Sequence, residues 1–219
     1  MLSLQNYSQL DPAWRNEPLG TQGRTLGSDG CTVSCVGMFV GKTPLETLRA
    51  LQVVNGIMPS GDLIWPKVEE AFSGTAYFNF RWSTTLEERS TAYRKSPEQA
   101  YADICALLAL GQPVILRLQH SSGFFHWVIA KEILPGDLLV HDPLGGVETP
   151  FSARYGPILS NLYAYSVLIK QPQGTADNIS DGLLRLIVSN ASQALPKAAA
   201  IEAGQNVQTY AKEILDTLI

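Results

Sequence analysis

The pattern of hydrophobic and polar positions predicts a helical first half of the chain. After an extended segment or short strand over 3–20 and a glycine-rich loop over 20–30, helices are expected over 31–39, 43–53, 63–68 and 96–110. The first helix, which begins at Cys31, is apolar almost all round, so it should be buried. The second has the clearest start signal, because Thr43, Pro44 and Glu46 match an N-terminal capping box.

The pattern changes to strands in the second half. Residues 76–83 alternate like a strand, and further strands are predicted over 113–118, 127–133, 138–141 and 163–170. The turn Pro135-Gly136-Asp137 joins the third strand to the fourth. Helices followed by an antiparallel sheet predict an α+β fold for residues 1–170.

The end of the chain has a different composition. Residues 171–178 are polar and contain proline and glycine, which predicts a linker. Residues 179–219 have an amphipathic helical pattern and predict a C-terminal helical extension. Because the sheet does not need these helices, the extension is a candidate docking element for a protein assembly.

Composition and charge narrow the functional classes. The 219 residues are 45% hydrophobic and 16% charged, with a net charge of −4 and no basic block, so nucleic acid is not an expected partner. Three cysteines make no disulfide framework, which predicts synthesis in the cytoplasm. Residues 1–14 carry no signal-peptide pattern, and the apolar runs are too short to span a membrane. A function outside the cell would require delivery by a secretion or phage assembly.

Cys31 is the candidate nucleophile. It follows a glycine-rich loop and opens a helix, where the unpaired N–H groups and the helix dipole favour a thiolate. Cys35 and Cys105 are interpreted as packing residues, the usual role of a buried free cysteine.

A cysteine nucleophile needs a general base and a group that orients the base. Of the three histidines, His126 opens an apolar strand, His141 closes the next strand, and His120 lies in a loop. Asp142 follows His141 directly, so His141 should point to the opposite face of their strand from Asp142. These positions favour His126 as the base and Asp142 as its orienting partner.

The pairing of His126 with Asp142 depends on the strand register. If the turn pairs Glu132 with Leu138, Asp142 lies opposite Val128 and shares a face with His126, one diagonal step away. A shift of one residue would place the two side chains on opposite faces.

The last part of a cysteine site is a donor for the oxyanion. An oxyanion could be stabilised by the Cys31 N–H together with a side-chain amide, for which Gln9, Gln5 and Asn6 are candidates.

The histidines and a cysteine could instead form a zinc site. Their spacing fits no compact ligand pattern, so neither a metal nor a cofactor is expected.

The ordered set of these motifs resembles the papain-like cysteine peptidases, in particular the bacteriocin-processing double-glycine leader peptidases and their soluble relatives. The motifs lie within residues 4–170 and are Tyr7-Ser8-Gln9, Gly30-Cys31, Gly111-Gln112-Pro113, His126-Trp127-Val128 and His141-Asp142-Pro143. The resemblance implies a papain-like fold in which the nucleophile helix packs on the sheet. It also implies the roles of oxyanion donor for Gln9, nucleophile for Cys31, base for His126 and orienter for Asp142.

Two functional hypotheses follow. In the first, the protein is a cysteine peptidase that hydrolyses a peptide or amide bond; a small-residue peptide and a peptidoglycan cross-bridge are the substrates that the resemblance implies. In the alternative, it is a catalytically silent papain-like module of a secretion or phage-tail assembly, docked through residues 179–219.

Overall fold

A six-stranded antiparallel sheet is the central element of the computed structural model, which describes residues 4–72, 78–83, 96–109, 111–119 and 123–169. The strands follow the order β1-β6-β2-β3-β4-β5 across the sheet. They are β1 (Phe78–Ser83), β2 (Val114–Gln119), β3 (Phe125–Leu134), β4 (Asp137–Asp142), β5 (Val147–Pro150) and β6 (Leu162–Ile169). The predicted linker over 171–178 and extension over 179–219, together with His120, lie outside the described residues.

Helices cover both faces of this sheet and confirm the predicted α+β fold. They are α1 (Leu26–Asp29), α2 (Cys31–Val40), α3 (Pro44–Val53), α4 (Pro66–Ala71), α5 (Pro97–Ala109), α6 (Phe151–Tyr155) and α7 (Ile158–Asn161). In the part of the chain that the structure describes, none of them is long and apolar enough to cross a membrane.

Neighbouring residues of the central strands enter two separate hydrophobic cores. Ile115 and Ile129 pack with residues of α2, α3 and α4, whereas Leu116 and Val128 pack with residues of α5, α6 and α7. All four side chains are buried. Strands that are covered on both faces read as nearly continuous apolar runs, as β2 and β3 do.

The observed elements of the first half agree with the prediction at α3 and differ from it elsewhere. The capping box of Thr43 and Glu46 is present, and α3 ends at Val53 as predicted. The helix predicted over 63–68 is α4, which begins at Pro66 instead of residue 63, because proline is well tolerated at the first helical position. The predicted loop over 20–30 contains α1, and the segment over 4–18 forms extended stretches and turns but no ladder strand.

The turn between β3 and β4 differs by one residue from the predicted pairing. Pro135 and Gly136 form a two-residue connection, with a φ of 71° at Gly136, as a type II turn requires after proline. Glu132 therefore pairs with Leu139 and not with Leu138. Continued as a regular ladder, this register would place the candidate base and its orienting carboxylate on opposite faces.

A β-bulge at Lys131 corrects the register. The pairing shifts between residues 130 and 132, and beyond the bulge Ile129 pairs with His141. Continued by one residue, this second register puts Asp142 and His126 on the same face. The juxtaposition that the sequence required is therefore present, although the turn alone would not produce it.

Besides α1, three elements were not predicted, and they follow one another directly after β4. The edge strand β5 pairs with β4, and the two short helices α6 and α7 lead back into β6. Each is four or five residues long, too short to show a periodic hydrophobic pattern.

Candidate active site

Cys31 is the first residue of α2 and is buried apart from 8% of its surface. The first N–H groups of a helix have no partner within it, so they surround the thiol with donors. Gly30 precedes it in close contact with the previous turn, because a Cβ there would lie 2.3 Å from the carbonyl oxygen of Leu26. The absence of a side chain at Gly30 allows α1 to lead directly into α2.

His126 links the thiol to a carboxylate. Its Nε2 lies 2.8 Å from Oδ1 of Asp142. Because Nε2 faces Asp142, Nδ1 is the ring nitrogen left for the thiol of Cys31. Burial by itself lowers the pKa of His126, but its interactions with Asp142 and Cys31 outweigh burial and raise the pKa to about 9. The imidazolium is thus the favoured form at neutral pH.

Asp142 is fully buried at the end of β4, where it accepts three hydrogen bonds and forms one ion pair. Oδ1 accepts from His126 and from the Leu144 N–H at 2.8 Å, and Oδ2 accepts from the Tyr155 hydroxyl and lies 2.9 Å from Nη1 of Arg154. Burial raises the pKa of Asp142, but the hydrogen bonds from His126, Tyr155 and Leu144 reverse that effect and lower it. The carboxylate both initiates the following turn and orients the histidine.

Gln9 is buried between the turn after β4 and helix α1. Its backbone N–H donates to the carbonyl of Pro143 at 2.8 Å, and its side-chain Nε2 donates to the carbonyl of Gly27 at 2.9 Å. Oε1 of the same amide is buried without a partner. The side-chain amide is therefore held against α1, and one of its two N–H groups is not used by the Gly27 hydrogen bond.

The other two amide candidates lie on the surface. The side-chain oxygen of Gln5 accepts from the Tyr7 hydroxyl, and Nδ2 of Asn6 donates to the carbonyl of Gly146 at 2.8 Å. Both hydrogen bonds are exposed. Of the three candidates, only Gln9 is buried.

His141 does not join the site. Its Nε2 lies 2.6 Å from Oε2 of Glu148, which also pairs with Lys131, and its Nδ1 is buried without a partner. Burial lowers the pKa of His141, and the hydrogen bond that His141 donates to Glu148 only partly opposes this. Asp142 and His141 point to opposite faces, as the sequence predicted.

The other two cysteines lie in different environments. Cys35 is completely buried in the core, and burial, with the charges of Cys31 and Asp142, raises its pKa well above the ordinary value. Cys105 is half-buried on α5, and burial raises its pKa too. Both groups are held as neutral thiols at neutral pH. Within the described ranges no group of three or more histidine, cysteine or acidic side chains could hold a metal ion.

Sequence reasoning missed Arg154 and Tyr155, which complete the shell around Asp142. Both lie on α6, one helical turn in length, and no local motif marks them. The nearest signal is the succession of a proline, an aromatic residue, a basic residue and a tyrosine over 150–155, which is not specific to any chemistry.

Comparison with known proteins identified structural similarity only. No family model matches the chain, and no curated protein matches it. One similar solved structure is a double glycine motif protease from an AMS/PCAT transporter, in complex with the leader peptide. It is 18% identical, with 71% of this chain and 87% of that chain covered and a TM-score of 0.40. Another is a C39-like peptidase from Bacillus anthracis, 12% identical, with 66% and 90% covered and a TM-score of 0.37. Both are peptidases of the kind that the sequence resembles.

Proposed function

We propose that the protein is a cysteine peptidase that hydrolyses a peptide or amide bond through Cys31, His126 and Asp142. The observation that carries this proposal is the hydrogen bond between a buried carboxylate and an imidazole, which in turn interacts with a thiol at a helix N-terminus. A nucleophile, a base and an orienting group in that order are the parts that covalent catalysis requires.

The first half of the reaction forms a thioester. With His126 as imidazolium, Cys31 reacts as the thiolate, and its sulfur attacks the carbonyl carbon while the π electron pair moves onto the oxygen. When the carbonyl re-forms, the bond to nitrogen breaks. Nδ1 of His126 gives its proton to the leaving amine, and Asp142 stabilises the imidazolium until that transfer.

The second half restores the enzyme. A water molecule attacks the thioester carbonyl and loses a proton to the now neutral His126. Collapse of this intermediate breaks the carbon–sulfur bond, releases the carboxylic acid and regenerates the thiolate–imidazolium pair. In both halves the negative oxygen would be stabilised by the backbone N–H of Cys31 and by the free N–H of the Gln9 amide.

The proposed substrate is a peptide with small residues at the cleaved bond. Since only 8% of the surface of Cys31 is exposed, bulky side chains beside the bond would obstruct the approach to the sulfur. Glycine-containing peptides, including peptidoglycan cross-bridges, are the class that the sequence resemblance implies.

Cleavage by matched cysteine variants tests the proposal. Wild type, Cys31→Ala and Cys35→Ala are incubated with a library of glycine- and alanine-rich peptides and with peptidoglycan, and the products are identified by mass spectrometry. Cys31→Ala should lose at least about 1,000-fold in rate. Cys35→Ala, one helical turn further along the same helix, should keep the activity. Equal cleavage by wild type and Cys31→Ala would overturn the proposal.

Alkylation separates an active site from a silent module without any known substrate. Iodoacetamide at pH 6.5 should modify Cys31 rapidly in wild type and slowly in His126→Gln, as mapped by peptide mass spectrometry. His141→Gln is the matched control, because His141 is also a buried histidine bonded to a carboxylate. A Cys31 that reacts no faster than Cys105 would favour the structural or adaptor module instead.

A further inference from the structure

The short helix α6 is bonded to both ends of β4. At the beginning of the strand, the carboxylate of Asp137 accepts from the backbone N–H of Ser152 at 3.1 Å and from its hydroxyl. At the end of the strand, Asp142 accepts from the Tyr155 hydroxyl and forms an ion pair with Arg154. The helix therefore has a fixed position along the strand that carries the orienting carboxylate.

The partners of Asp142 hold both of its oxygens. Oδ1 accepts from His126 and from the backbone N–H of Leu144, and Oδ2 accepts from the Tyr155 hydroxyl and forms an ion pair with Arg154. Both partners of Oδ2 lie on α6. The carboxylate cannot rotate away from the imidazole without breaking the hydrogen bond and the ion pair that α6 provides.

The charges around Asp142 also give α6 a role in holding this carboxylate. Asp142 is fully buried, and an ionised carboxylate in such a place requires compensation by hydrogen bonds and opposite charge. Arg154 supplies a permanent cation at 2.9 Å from its partly exposed position, whereas the charge of His126 is lost each time it gives up its proton. Arg154 would thus keep the carboxylate ionised throughout the reaction.

We propose that Arg154 and Tyr155 are positioning residues, which hold Oδ2 of Asp142 so that Oδ1 faces His126 and the carboxylate stays ionised. This assignment rests on the proposed function, since it concerns the same three-residue site. Both residues act through Asp142, and the ring of Tyr155 also lies beside that of His126, with centroids 5.9 Å apart.

The test measures the alkylation rate of Cys31 by iodoacetamide in the full-length protein from pH 5 to pH 9. Without the cation or the hydroxyl, Asp142 becomes protonated at a higher pH, and His126 loses the partner that keeps it charged. Alkylation of Cys31 should then be slower at acidic pH. Arg154→Gln and Tyr155→Phe should make alkylation at pH 5.5 about 3- to 10-fold slower than in the wild type.

Two further variants give the controls. Arg154→Lys keeps the positive charge and should recover most of the wild-type profile. Arg49→Gln removes a surface arginine whose nearest carboxylate, that of Glu17, lies 4.0 Å away, and it should leave the profile unchanged. Tyr155→Phe preserves the ring, which packs on Phe151 with centroids 5.5 Å apart, so it decides the question even if Arg154→Gln does not fold.

The outcomes distinguish this inference from the proposed function. If His126→Gln slows alkylation but the α6 variants keep the wild-type profile, the positioning role is wrong and the peptidase site stands. If Cys31 is unreactive in the wild type at every pH below 8, the proposed function fails and the positioning role fails with it. Slower alkylation in Arg154→Gln and Tyr155→Phe, with most of the wild-type profile kept in Arg154→Lys, supports both the positioning role and the proposed function.

Discussion

Replacing Asp142 with asparagine should lower the pKa of His126. In the wild type this pKa is raised from 6.5 to about 9 although burial acts in the opposite direction. At about 1.4 kcal/mol for each pKa unit, the rise corresponds to about 3 kcal/mol in favour of the imidazolium. Asparagine removes the negative charge 2.8 Å from Nε2 and leaves the burial in place, so the pKa should fall by at least about 1 unit.

The measurement is an NMR titration of the histidine rings. The chain has three histidines, so a histidine-labelled sample gives few signals, and His126→Gln and His141→Gln assign two of them. The signal of His126 should titrate near pH 9 in wild type, and that of His141 below pH 6.5. Because the proposed mechanism needs the proton of His126 for the leaving amine, turnover should fall as the pH rises through about 9.

A second carboxylate provides the matched control. Glu148→Gln removes the acidic partner of His141, so it should lower the pKa of His141 further and leave that of His126 unchanged. The reasoning is refuted if His126 titrates at or below its ordinary value in the wild type, or if Asp142→Asn leaves its titration where it was. A thermal melt of each variant establishes that the fold is intact.

Two further predictions concern the oxyanion donor and the start of the nucleophile helix. Gln9→Ala should lower kcat about 100-fold, the usual effect of losing one oxyanion donor, while alkylation of Cys31 stays fast because it forms no oxyanion. Gln5→Ala, on the surface, should change neither rate, and equal kcat for the two variants would contradict the role of Gln9. Gly30→Ala should lower the free energy of unfolding by about 1 to 3 kcal/mol, since its Cβ would overlap the Leu26 carbonyl. Chemical denaturation measures this, and a wild-type midpoint would count against the steric argument.

Local signals in the sequence were sufficient for the elements that carry the nucleophile. The run from Cys31 predicted a buried helix, and the glycine before it predicted the loop-to-helix transition, because capping and apolar periodicity act within a few residues. The same holds for α3, whose Thr43 cap is observed. The loop before Cys31 was predicted without α1, since a helix of four residues leaves no periodic pattern.

The register between β3 and β4 shows the limit of local reasoning. Alternation along each strand placed His126 and Asp142 on one face on the condition that the turn paired Glu132 with Leu138, whereas the turn pairs Glu132 with Leu139. The bulge at Lys131 compensates for it. A bulge depends on how two strands twist and pack against the rest of the sheet, so the residues beside the turn do not reveal it.

The sequence by itself determined the chemical types and their order: an amide at Gln9, a thiol at Cys31, an imidazole at His126 and a carboxylate at Asp142. Their spacing along the chain does not show that they meet. Only the tertiary structure decided that Asp142 is buried beneath Arg154 and Tyr155, and that His141 pairs with Glu148 instead. Hydrogen bonds between side chains on different elements depend on packing in three dimensions, which a pattern along one dimension does not specify.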